Sequence, residues 1–134
     1  MTYRKTYRYL LLIVGVYSLI TALWALIDID SFMKVTGPKT DIWLVKTVSV
    51  LILAMAVFFI MQLKYSSPVV PVIILGILMS VGLASIDFYY TSQNTISDIY
   101  KADGFLQLIF MLIWSYLLIN YKVLERQLKD SGNN

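Results

Sequence analysis

The 134-residue chain has no cysteine and no histidine, and only 14% of its residues are charged. Without cysteine there is no disulfide exchange, no thiolate metal site and no palmitoyl anchor. Without histidine, bis-histidine haem ligation, imidazole zinc sites and serine–histidine catalysis are excluded as well. No Gly-rich phosphate loop occurs, and no pair of acids sits in the middle of an apolar run. The expectation is a protein with no cofactor, no metal and no catalytic machinery. The one acid set left for general acid–base work on a lipid is Asp28, Asp87 and Asp103, and nothing in their spacing asks for it.

What fills the chain instead is apolar: 59% of the residues are hydrophobic, whereas soluble domains carry about 25% charged residues. Four windows, Tyr9–Ile27, Ile42–Leu63, Val69–Ile86 and Gly104–Tyr121, are each close to the roughly 20 residues that cross a hydrocarbon core about 30 Å thick. Lys46 is the only charged residue inside them. The fold class that follows is an all-α integral membrane protein, residues 1–134 forming one domain of four transmembrane helices in an antiparallel up-down-up-down bundle. Arg4, Lys5 and Arg8 precede the first window as they would in a signal peptide. Its uncharged stretch, however, outruns a typical h-region of about 7–15 residues and ends at Trp24-Ala25-Leu26-Ile27-Asp28 without a small-x-small site, so it reads as a retained span.

Cations set the orientation. Arg4, Lys5, Arg8, Lys64, Lys122, Arg126 and Lys129 fall on the face of the termini, seven of the eleven Lys+Arg; Lys34, Lys39, Lys46 and Lys101 fall on the other. This split predicts a multi-pass protein of the cell (inner) membrane with both termini cytoplasmic. The basic balance is thereby assigned to an inner-face anchor, and no nucleic acid is expected as a partner. Tyr65-Ser66-Ser67-Pro68 is short enough to make the second and third spans antiparallel neighbours, with Pro68 and Pro71 in the first turn of the third. On the far side Gly37-Pro38 stops any short helix begun at Ser31, and Thr40 or Asp41 can cap the second span. The tail after Tyr121 extends the fourth span by about two turns, with Glu125 and Lys129 at i,i+4.

Matching pieces hint at two similar helical hairpins. Ala25-Leu26-Ile27-Asp28 and Ala84-Ser85-Ile86-Asp87 end the first and third spans; Thr40-Asp41-Ile42-Trp43 and Ser97-Asp98-Ile99-Tyr100 open the second and fourth. Such parallel repeats would make Lys46 and Asp103 equivalent. Helical spacing also draws four stripes: Tyr17, Thr21, Trp24 and Asp28; Trp43, Lys46 and Val50; Gly76, Ser80, Ala84 and Asp87; Gly104, Gln107, Met111 and Trp114. If all face inward, Asp28, Lys46, Asp87, Asp103, Gln107, Tyr17, Thr21 and Trp24 form either a ligand pocket opening outward or a structural ion-pair cluster around Lys46.

In size and span count the chain resembles small multidrug-resistance transporters, but the glutamate those proteins place mid-way through the first span has no counterpart in Tyr9–Ile27. It is also similar in size and topology to DoxX-like proteins. The functional expectation is an accessory, assembly or self-associating membrane component, in contact with the lipid bilayer and with a second copy or another membrane protein. The alternative is a transporter or binding protein for a small solute or lipid, using an outward-facing polar pocket near Lys46, Asp28 and Asp87. A membrane enzyme ranks behind both.

Overall fold

The computed structural model describes residues 3–65 and 68–131, with side chains as far as Val123 and at Glu125. The described residues form five helices: α1 (Tyr3–Ile27), α2 (Ile29–Thr36), α3 (Ile42–Gln62), α4 (Val70–Ser92) and α5 (Ile99–Ser131). Four segments, α1, α3, α4 and the Ile99–Val123 part of α5, are long and apolar enough to cross a membrane. At about 1.5 Å per residue each exceeds the thickness of a hydrocarbon core.

The helices overrun the apolar windows because backbone hydrogen bonding does not stop where hydropathy falls. α4 continues past Ile86 to Ser92, where the hydroxyl of Thr91 donates to the carbonyl of Asp87 at 2.6 Å and that of Ser92 to Tyr89 at 2.6 Å. It ends near Asn94, whose φ of 54° lies in the left-handed region that asparagine tolerates. α5 begins at Ile99, well before Gly104, and runs on to Ser131 as the tail reading expects. The Glu125–Lys129 pair lies outside the described side chains.

Sequence signals and structure differ at two ends and agree at a third, where Asp41 is the N-cap of α3. The short helix α2 starts at Ile29 rather than Ser31, since Asp28 is its N-cap and accepts the Ser31 amide at 3.1 Å; Gly37, at φ 89°, terminates it. Asp41 caps α3 through its backbone position alone, with no side-chain bond. Pro68 precedes α4, leaving Pro71 in the first turn.

Helix packing corrects a further expectation. α1 packs closely along α3 and α4 along α5; α1 also meets α5, and α2 touches α1 and α5. α3 and α4, joined by the short connection, have no comparable contact. A tight turn brings two helix ends together, yet which faces pack is decided by side-chain fit further along.

That fit centres on Trp114. Its indole is fully buried, stacks on Phe59 of α3 (5.9 Å, 28° between planes) and meets Tyr7 of α1 edge-on at 6.2 Å. On α4 it rests against Gly76, where a Cβ would overlap the ring. Leu10, Leu11 and Val14 of α1, Val72 and Ile73 of α4, and Phe110 and Leu117 of α5 complete this core. The Tyr3 hydroxyl closes it, donating to the Leu117 carbonyl at 2.8 Å. A second close approach lies between α1 and α3, where a Cβ on Gly15 would stand 2.8 Å from Ile60 Cγ1.

Gly76→Ala is therefore expected to destabilise the fold by about 1–3 kcal/mol through overpacking. Gly82→Ala, where a Cβ meets nothing within 4 Å, should leave stability unchanged or slightly raised. Thermal unfolding of both variants in the same detergent checks this; equal behaviour of the two would remove Trp114 from its place as the packing centre.

Candidate functional site

Away from the Trp114 core, α1, α4 and α5 bring polar side chains together. Tyr17 and Thr21 stand one turn apart on α1, and Asp103 and Gln107 one turn apart on α5, so each helix presents a pair on one face. The Tyr17 hydroxyl donates to Asp103 Oδ1 at 2.6 Å, and Gln107 Nε2 donates to the same oxygen at 3.2 Å. Thr21 turns its hydroxyl back to the carbonyl of Tyr17 at 2.9 Å. From α4, Asp87 enters beside Asp103 with only 5% of its surface exposed. Its Oδ2 has no hydrogen-bond partner among the described residues.

These groups line a cavity of about 230 Å³ whose remaining walls are mostly apolar, with Val45, Val48 and Ile52 from α3 and Met79 and Leu83 from α4. Helix α2 covers it with Phe32. A second cavity of about 300 Å³ shares Tyr17, Thr21, Phe32, Tyr100 and Asp103 with the first and adds Trp24 and Thr36. α2 is held in place by Trp24, whose indole N–H donates to Ser31 Oγ at 2.7 Å and whose ring meets Phe32 edge-on at 5.5 Å.

Six of the eight sequence candidates thus line the cleft: Tyr17, Thr21, Asp87, Asp103 and Gln107 in the first cavity, Trp24 in the second. Asp28 and Lys46 do not. Asp28 is exposed and spends its carboxylate on capping α2; the Ser31 amide, then the Ser31 hydroxyl, hold it below the usual aspartate range. Lys46 is exposed on α3, on the outer face with Trp43 (69% exposed) and Val50, and among the described residues it pairs with none of Asp28, Asp87 and Asp103. The face of α3 that turns inward carries Ser49, Ala56 and Phe59. The stripes drawn on α4 and α5 do face inward: Gly76, Ser80, Ala84, Asp87, Gly104, Gln107 and Trp114 are all buried, and Met111 is half-buried.

Comparison with protein-family models, curated proteins and solved structures finds no match for this chain.

The geometry thus carries the functional reading, and it includes two residues that sequence patterning missed. Tyr100 lines both cavities, and Lys39 sits 5.2 Å above its ring. Lys39 Nζ donates to the carbonyls of Thr36 at 2.9 Å and Gly37 at 3.2 Å, the C-terminal end of α2, where the helix dipole favours a cation. Partial burial lowers its pKa from the ordinary lysine value. The signal for Tyr100 is present in the sequence: it stands three residues before Asp103 and seven before Gln107, one stripe once the helix is started at Ile99. Among the described residues no group of three or more acids, histidines or cysteines is placed to hold a metal.

Tyr17→Phe removes the shorter of the two bonds to Asp103. It should cost about 1–2 kcal/mol, the range for a hydrogen bond to a charged group reduced for partial exposure; an unchanged unfolding midpoint would mean that this bond does not join α1 to α5. The Asp28 cap has a defined pH dependence. Its folded pKa is depressed, so its contribution is present above the unfolded aspartate value and is lost as pH falls through the lower folded value. The Ser31 amide resonance should titrate with a midpoint below the ordinary aspartate value, and Asp28→Asn should abolish that titration.

Proposed function

We propose that the chain is a multi-pass protein of the cell (inner) membrane that binds or carries a small solute or lipid in the cleft between α1, α4 and α5. Its four spans run up-down-up-down with both termini cytoplasmic, the arrangement that the distribution of cations favours. The two closely packed helix pairs act as similar hairpins, and the cleft opens between them on the outer side. The reading rests on one observation: the polar set Tyr17, Asp87, Asp103 and Gln107 faces an apolar-walled cavity. Tyr17 and Asp103 meet across α1 and α5, but helix association alone would be expected to give Asp87 a partner for each oxygen, and its buried Oδ2 has none among the described residues. A few polar groups converging in an otherwise apolar pocket between helices is the general form of a small-molecule site.

A second reading, an accessory or self-associating component, is supported by α3. Trp43, Leu44, Val50, Leu51 and Val57 are all well exposed on it, giving a broad apolar surface that either lipid or a second copy covers. On this reading the cleft has no ligand.

The absence of cysteine makes thiol labelling direct. N-ethylmaleimide should modify Ser49→Cys, which lines the cleft with 5% of its surface exposed, at least tenfold faster than Ala56→Cys, which has none exposed and lies off the cleft. Equal, slow modification of both would close the cleft and leave the accessory reading. For orientation, a membrane-impermeant maleimide should reach Asn94→Cys in intact cells and Lys64→Cys only after permeabilisation; the opposite pattern would invert the topology.

A further inference from the structure

We infer that the cleft selects a cationic amphiphile, an alkyl- or arylammonium whose charged head sits between Asp87 and Asp103 and whose apolar tail lies along the α3 and α4 walls. This rests on the binding reading above and names its ligand class. The inventory of donors and acceptors is the first argument. The two side-chain donors aimed at the acids, the Tyr17 hydroxyl and Gln107 Nε2, are both spent on Asp103 Oδ1, and the Thr21 hydroxyl is turned to its own helix. Acceptors are left over: Asp87 Oδ2, buried and without a partner among the described residues, and the remaining lone pairs of Asp103 and of the Gln107 amide oxygen. A ligand that brings N–H donors matches this surplus, and one that brings only acceptors does not.

Charge is the second argument. Two carboxyl groups this close, Asp87 buried and Asp103 half-buried, escape the cost of double ionisation by holding a proton between them or by gaining a positive charge, and an entering ammonium can take the proton's place. Among the described residues no cation is brought to them: Lys39 directs its ammonium at the Thr36 and Gly37 carbonyls and the Tyr100 ring, Lys46 faces away, and Lys101 pairs with Asp98 at 2.7 Å on the exposed surface. An anionic ligand would add to the negative charge that a carboxyl pair sharing one proton still carries, whereas one ammonium cancels it. The rings of Tyr17, Phe32 and Tyr100 on the same cavity walls offer faces on which a cation is further stabilised. Val48, Ile52, Met79 and Leu83 provide no polar group for a wholly hydrophilic ion, which is why an apolar tail is part of the assignment. The two adjoining cavities together come within reach of ordinary ligand pockets, about 300–1,000 Å³.

The test uses the full chain bearing Ser49→Cys in nanodiscs of zwitterionic lipid, with N-ethylmaleimide modification as the readout and three probes of equal chain length as competitors. Hexylammonium should halve the modification rate at a concentration at least tenfold below that of hexanol, and hexanoate should protect least. Adding Asp103→Asn, or separately Asp87→Asn, should cut the hexylammonium advantage over hexanol at least tenfold while the unprotected rate stays high. If Ser49→Cys is modified readily but hexanol or hexanoate protects as well as hexylammonium, the cationic assignment is overturned and the binding cleft stands. If Ser49→Cys resists modification without any competitor, the cleft reading fails and the assignment falls with it.

Discussion

The indole of Trp114 is the contact on which the placement of the four long helices depends. Projecting from α5, it touches Tyr7 on α1, Phe59 on α3 and the bare backbone of α4 at Gly76. For a chain in a bilayer, lipid tails are as apolar as leucine, so helices gain little from hiding from solvent and associate where shapes fit closely. A large ring laid on a glycine is such a fit, gathering many small dispersion contacts at once. It has a cost, since the Trp114 N–H and the Tyr7 hydroxyl are buried without hydrogen-bond partners among the described residues. The packing has to outweigh that, which explains why the core around it is filled by Leu11, Ile73, Leu117 and Phe59 with essentially no exposed surface.

Close packing at that level leaves the region of Tyr17, Asp87 and Asp103 to be joined by other means. There α1 and α5 are linked by one strong hydrogen bond, Tyr17 to Asp103, and α2 lies over the gap, secured by Trp24 and by the Asp28 cap. A cleft covered by a short helix and bridged by a few polar bonds is less rigidly built than a packed core, a property expected of sites that admit a ligand. The acids within it are the part of the molecule least explained by folding alone. In a purely structural role they would be expected to have acquired a cation from the chain, yet among the described residues Lys39 is turned to the end of α2, Lys46 faces outward and Lys101 pairs with Asp98.

How far the sequence could be read differs from helix to helix, for physical reasons. On α4 the run Gly76, Ser80, Ala84, Asp87 marks the inner face because small and polar residues interrupt an apolar background, and on α5 Gln107 and Trp114 do the same. α3 lacks that contrast. It is apolar all round, so periodicity carries no phase, and taking the lone charge of Lys46 as the inner face placed the stripe on the wrong side. The apolar windows are shorter than α4 and α5 for a related reason: hydropathy reports where a membrane would begin, while helix ends follow hydrogen bonding and caps. The spacing of Asp28 from Trp24 points it into the site, although its position before Ile29 and three residues ahead of Ser31 is equally that of a cap.

Length, composition and the four apolar runs determined by themselves that the chain is all-helical with four segments able to cross a membrane, because a continuous apolar run of about 20 residues has few other stable forms. The missing cysteine and histidine determined which chemistries are closed to it. Tertiary structure alone decided that α3 lies along α1 and apart from α4, that Lys46 faces outward, and that Asp87 and Asp103 meet in one cavity beneath α2. Those outcomes turn on side-chain shape, a tryptophan that needs a glycine opposite it and a tyrosine that needs an acceptor, and such complementarity between distant segments leaves no periodic trace in a sequence this uniformly apolar.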